Sequence, residues 1–237
     1  MSSTAEAILA ELQSLGRETY RNIMLRHGAC EPIYGVSVED LKQIKKRIGK
    51  DHALTLALFD TGVSDAMYLA GLLAEDDRMT REDLQRWATA ALSPLLSECT
   101  VAWVTAGSRY GRELALEWID APQENLADAG WATLNSLVAI TPDEKLDLEE
   151  IDALLARVQQ TIEHAPNRVR RVMNSFIIAV GTYIPALTAQ ALRVAEAIGP
   201  ITVDTGETAC RVPLASEAIR KAQKRGIIGK KRKTAKC

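Results

Sequence analysis

Histidine and aromatic side chains are scarce, with three His and 5% Phe, Trp and Tyr in 237 residues. Acid–base chemistry in such a chain falls to carboxylates rather than imidazoles. The four cysteines, Cys30, Cys99, Cys210 and Cys237, include no Cys-x-x-Cys pair, so neither a disulfide framework nor a zinc site is announced. His27 and Cys30 share a loop that contains Gly28 and Pro32; with no third ligand nearby they read as loop residues, not a metal pair. A Gly-rich phosphate loop, a Gly-x-Ser-x-Gly elbow and a His-Glu-x-x-His helix are all missing. Nucleotide hydrolysis, esterase chemistry and zinc proteolysis therefore lose support, and no cofactor or metal is expected. No apolar run approaches the ~18 residues of a membrane span, and the opening MSSTAEAILAELQ has neither a basic start nor a long apolar segment. The expectation is a cytoplasmic protein with no membrane partner.

Charge is short in one region and concentrated in another. The formal net charge is −2, yet residues 219–237 carry nine Lys or Arg and no acid. The first 218 residues consequently hold 20 basic and 31 acidic groups, and residues 112–152 hold two basic against eleven acidic. Affinity for duplex DNA is dominated by cations that neutralise phosphates, so this body is not that of a generic DNA binder. The basic terminal run reads as a solvated, fraying tail whose partner is either nucleic acid or an acidic patch of the same chain.

What the chain has in abundance is helical periodicity. In Tyr34 to Lys50, Ser37 stands where an N-cap belongs, Asp40 occupies the third helical position, and Leu41, Ile44 and Ile48 share a face opposite Lys42, Lys45, Lys46, Arg47 and Lys50. Similar helices are expected over 51–60, 64–75 with Ser64 as its cap, 80–92 after Thr80, 94–106, 108–119, 123–139, 147–163, 166–181 and 185–198. Two short helices precede them. The small residues Ala127, Ala129 and Gly130 predict close helix packing around a core Trp131. About six helix pairs without a convincing strand pair predict an all-α, HEAT-like or armadillo-like α-α superhelix, a curved solenoid. It would occupy residues 1–198. Residues 199–237 would form an irregular arm or short hairpin, a last helix from about Pro213 to Lys224, and the basic tail, packed on or trailing from the same domain.

The wording Tyr34-Gly35-Val36 followed by Asp40-Leu41-Lys42, the stretch LFDTGVSDAMYLAGLL over 58–73, and looser matches near Trp103, Trp118 and Arg168 to Tyr183 resemble the DNA alkylation repair family of HEAT-like-repeat proteins. The resemblance covers most of residues 20–200. It implies the same solenoid, a nucleic-acid partner on its concave face, and excision of alkylated purines by a tryptophan followed four residues later by an aspartate. The matching tryptophan is Trp103, but the fourth residue after it is Gly107. Glu98, five residues before Trp103, and Glu113 are the candidate substitute carboxylates, though neither reproduces the pattern. Phosphate contacts are expected from Arg168, Arg170 and Arg171 at a helix start, from Arg109 and Arg112, and from Lys230, Lys231, Arg232 and Lys233. The bland reading pairs the three helix-start arginines with Glu149, Glu150 and Asp152. The function expected is therefore a repair-like protein that binds DNA or structured nucleic acid, with slow or absent excision; the alternative is a non-catalytic scaffold for a protein or structured nucleic acid.

Overall fold

In a computed structural model, which describes residues 4–206, 208 and 210–236, the periodicity resolves into α-helices with no strand among the described residues. They are α1 Ala5–Leu15, α2 Glu18–Arg26, α3 Val38–Ile48, α4 His52–Asp60, α5 Ser64–Leu73, α6 Arg81–Ala90, α7 Ala102–Gly107 and α8 Gly111–Trp118. The series continues with α9 Glu124–Ile140, α10 Leu148–Thr161, α11 Asn167–Tyr183, α12 Thr188–Ile198 and α13 Ala215–Lys224. No single helix among them is long and apolar enough to cross a membrane.

Side-chain caps explain several of the starts. Ser37 Oγ accepts from the Asp40 amide at 3.2 Å, and Asp51 and Asp147 cap α4 and α10 in the same way. Thr80 and Asp83 form a reciprocal capping box at α6. Ser64 departs from expectation: Val63 is the cap residue, and Ser64 Oγ donates instead to Cys30 O at 2.6 Å. The reason is the neighbouring Asp65, whose carboxylate accepts from the amides of Tyr34 (2.6 Å) and Val36 (2.8 Å). This draws the Tyr-Gly-Val turn onto the start of α5 and fixes the entry to α3.

The interval 94–106 is not one regular helix. Leu95–Val101 is wound as a π-helix that runs into α7, a form rare enough to mark a place where side chains have been re-aimed. Helices α5, the π-helical segment with α7, α9 and α11 pack successively as the inner row of the solenoid. Two apolar clusters meet on α9, one through Leu126 and Ala129, the other through Ala127 and Trp131. A side chain at Gly130 would lie 2.8 Å from Ile119 N and 2.9 Å from Ala115 O, so its bareness is what lets α8 lie against α9.

The basic tail does not fray. It runs along the C-terminal ends of three inner helices, where the last carbonyls lack intrahelical partners. Gly229 N donates to Thr182 O of α11 at 2.8 Å, Arg232 N to Ala139 O and Lys231 Nζ to Val138 O of α9 at 2.8 Å each, and Lys236 Nζ to Ala74 O behind α5 at 2.6 Å. Lys231 also meets Asp143 and Lys236 meets Asp76, and Ala235 is buried in the core. Cations are favoured at the negative ends of helices, so composition that reads as solvated serves here as a strap. Cys237, its last residue, lies outside the described residues.

Candidate nucleic-acid interface

The start of α11 and the turn before the π-helix border a cleft of about 480 Å³. It lies between the end of α2 (Arg26, His27), the turn Leu92–Pro94 before the π-helix, the start of α11 (Arg168, Arg171) and the arm. The arm over 199–212 has no helix or strand among the described residues, and its attachments are specific. Asn167 donates to Asp204 O and accepts from Asp204 N, both at 2.8 Å; Arg170 Nη1 donates to Thr202 O at 2.8 Å, and Asn174 Nδ2 to Pro213 O at 3.0 Å. Thr205 Oγ1 donates to Cys210 O at 3.2 Å, which folds the arm back so that Cys210 Sγ lies 3.9 Å from His27 Nδ1. Across the cleft, α2 is brought to face α11.

Behind the cleft wall lies a group of two acids and two arginines, with Asp128 fully buried and the other three partly so. Arg168 Nη2 donates to Asp128 Oδ2 at 3.0 Å and to Ser97 Oγ at 2.8 Å, Ser97 Oγ donates to the same Asp128 oxygen at 2.5 Å, and Arg168 Nη1 donates to Leu92 O at 2.9 Å. Arg171 pairs with Glu98. The π-helix supplies both Ser97 and Glu98, and α9 supplies Asp128. Burial, and then the Asp128 carboxylate, push the Glu98 carboxyl up to about 8. Burial raises Asp128 as well, but Arg168 and the Ser97 hydroxyl oppose the rise. Burial therefore favours the protonated form at Glu98, while Arg168 and the Ser97 hydroxyl favour the ionised form of Asp128.

The remaining sequence-predicted residues are dispersed. Trp103 is 6% exposed and packs edge-on against Tyr68 at 5.7 Å, so its ring belongs to the core. A Cβ on Gly107 would lie 2.2 Å from Asp76 Oδ2; the space an aspartate would need is already filled by Asp76. Glu113 faces Arg81 at 3.2 Å. Trp103, Glu98 and Glu113 therefore do not converge on one cavity. Arg112 pairs with Glu150, and Arg109 lies over the Tyr110 ring, 4.8 Å from its centroid. The three helix-start arginines engage neither Glu149, Glu150 nor Asp152: Arg168 and Arg171 take Asp128 and Glu98, while Arg170 binds carbonyls of Ala165 and Thr202. Lys230, Arg232 and Lys233 have exposed side chains, whereas Lys231 is half-buried in the strap.

Three cleft residues carry no signal in the sequence reading. Arg26 and Arg211 are exposed and make no ion pair with a described residue, and Leu92 projects from the turn before Pro94. Asp128 has a readable signal, an acid set among Ala127, Ala129 and Gly130, where only a buried partner justifies a charge.

Relatives match this chain over nearly its whole length. Two curated proteins, the uncharacterized protein Lin0241 of Listeria innocua and the uncharacterized protein Lmo0209 of Listeria monocytogenes, are each 30% identical over 228 residues, 94% of this chain and 98% of theirs. One solved structure superposes with a TM-score of 0.91 at 32% identity, covering 99% of this chain and 100% of the other. It is described as a new family of proteins related to the HEAT-like repeat DNA glycosylases with affinity for branched DNA structures. The family model for the DNA alkylation repair enzyme matches residues 8–217, and the chain belongs to that family.

Proposed function

We propose that the protein binds branched DNA at the arginine-lined cleft and does not excise bases. The observation that carries this reading is the cleft's charge: Arg26 and Arg211 line it with no ion pair to a described residue, beside Arg168 and Arg171, which are shared with Asp128 and Glu98, and among the described lining residues the one carboxylate is Asp204. Asp204 Oδ1 is itself occupied by the Gly206 amide at 2.8 Å. The guanidinium groups converge beside the start of α11, whose Arg168 amide already donates to Glu124 Oε1 at 3.0 Å, so it is the arginine side chains that suit phosphate oxygens. The structural neighbour's affinity for branched DNA supports the substrate class.

Against excision stand the fates of the acids. Loss of an alkylated base leaves an oxocarbenium-like sugar that an exposed, fixed carboxylate must stabilise. Asp128 is paired with Arg168, burial favours the protonated form of Glu98, and a Cβ at position 107 would collide with Asp76. Titration of a labelled four-way junction, and of a linear duplex of the same sequences, tests the proposal: tighter binding of the junction is expected, and equal or absent binding would overturn it.

A further inference from the structure

Between the cleft and a second cavity stands one exposed aliphatic side chain. Leu92 is 61% exposed, the most exposed large hydrophobic among the described residues. A lone exposed leucine usually has no meaning, but this one is held rigidly. Its neighbours Ala91 and Ser93 are fully buried, its amide donates to Ala90 O at 3.0 Å, its carbonyl accepts from Arg168 at 2.9 Å, and Pro94 follows within two residues. On one side lies the cationic cleft. On the other is a cavity of about 330 Å³ whose lining includes Phe59, Met67 and Leu96, with Arg86 paired to Asp60 at its edge.

We propose that Leu92 is a wedge that enters the branch point of bound DNA, where base stacking is already interrupted. Cationic groups hold the strands while an apolar side chain fills the gap between bases, a division of labour seen wherever proteins insert side chains into a stack. A continuous duplex would have to unstack to admit it, and unstacking costs energy that a branch point has already spent. The wedge thus discriminates branched from linear DNA at a position that reads no sequence. This inference rests on the DNA-binding reading above and adds to it the residue that tells the two substrates apart.

The test uses the full chain and a three-way junction carrying 2-aminopurine at the branch point, beside a linear duplex with the same label. Wild-type binding should raise the 2-aminopurine fluorescence of the junction. Leu92→Ala should weaken junction binding about 10-fold or more, the value of burying a leucine side chain, suppress the fluorescence rise, and leave duplex affinity within about 2-fold. Leu92→Met should restore most of both signals. A Leu92→Ala protein that binds the junction and perturbs the label as wild type does would overturn the wedge alone. A wild-type protein that binds neither DNA would overturn the DNA-binding reading and the wedge with it.

Discussion

The Arg168 guanidinium meets the Asp128 carboxylate, Nη2 to Oδ2 at 3.0 Å, with Asp128 wholly buried and the Arg168 side chain 20% exposed. The pair joins α11 to α9 and, through Ser97 and the Leu92 carbonyl, both to the turn that shapes the cleft. Removing one partner of such a pair leaves a buried charge without compensation, which costs far more than the pair itself contributes. Asp128→Ala should lose about 3–5 kcal/mol in urea unfolding. A loss below about 1 kcal/mol, the range of surface pairs, would show that the arginine simply turns outward.

Glu98 predicts a pH dependence of opposite sign to the usual carboxylate. Its folded-state value of about 8 lies above the ordinary 4.5, so between those limits the native state binds the proton more tightly than the unfolded chain. The stabilisation is complete below about 4.5 and is lost as pH rises through about 8. Comparing wild type with Glu98→Gln, which cannot ionise, isolates this contribution: wild type should lose ground steadily as the pH is raised from 5 to 9. A constant difference across that range would place Glu98 in an ordinary ion pair with Arg171.

How much of this is legible in the sequence depends on distance along the chain. The α3 start needs only Ser37, Asp40 and a three-four apolar step, all within one turn or two, and it forms as read. The arginines at 168 and 171 stand out as a cluster, but their partners lie 40 and 73 residues away. Cap chemistry and periodicity carry no information at that range. The tail departs from its solvated reading for the same reason and takes the alternative, acids of its own chain: lysine and glycine specify a solvated segment locally, and only Asp143, Asp76 and the carbonyls at distant helix ends turn Lys231 and Lys236 into a strap. Leu92 is invisible to such reading, because a leucine between Ala91 and Ser93 looks like core until its neighbours turn it outward.

The strap predicts that the basic tail contributes to stability. Lys236→Ala leaves Ala74 O and Asp76 without a partner, and Lys231→Ala does so for Val138 O and Asp143. Each should cost about 1–3 kcal/mol, and truncation before Gly229 should cost more than either. Lys230→Ala and Lys233→Ala, on exposed positions, should be nearly neutral. Thermal melts of the four variants and the truncation check this; equal effects of Lys233→Ala and Lys236→Ala would dissolve the distinction.

Restoring the family's acid should fail. Gly107→Asp must displace Asp76, so it should lower stability by about 1–3 kcal/mol, the range of overpacking, and leave the release of 3-methyladenine and 7-methylguanine at the spontaneous rate. Faster single-turnover release that disappears again in a Glu98→Gln or Trp103→Ala background would instead reveal a latent excision site.

The salt dependence of junction binding tests the central claim most directly. Arg26 and Arg211 face the cleft with no ion pair to a described residue, so their charges are free to replace counterions on phosphate. Wild type should bind a four-way junction with log K falling linearly as log salt concentration rises, and Arg26→Ala/Arg211→Ala should flatten that slope by about 0.9 for each phosphate no longer neutralised. An unchanged slope and affinity in the double variant, with wild type still binding the junction, would mean that the DNA lies elsewhere on the molecule.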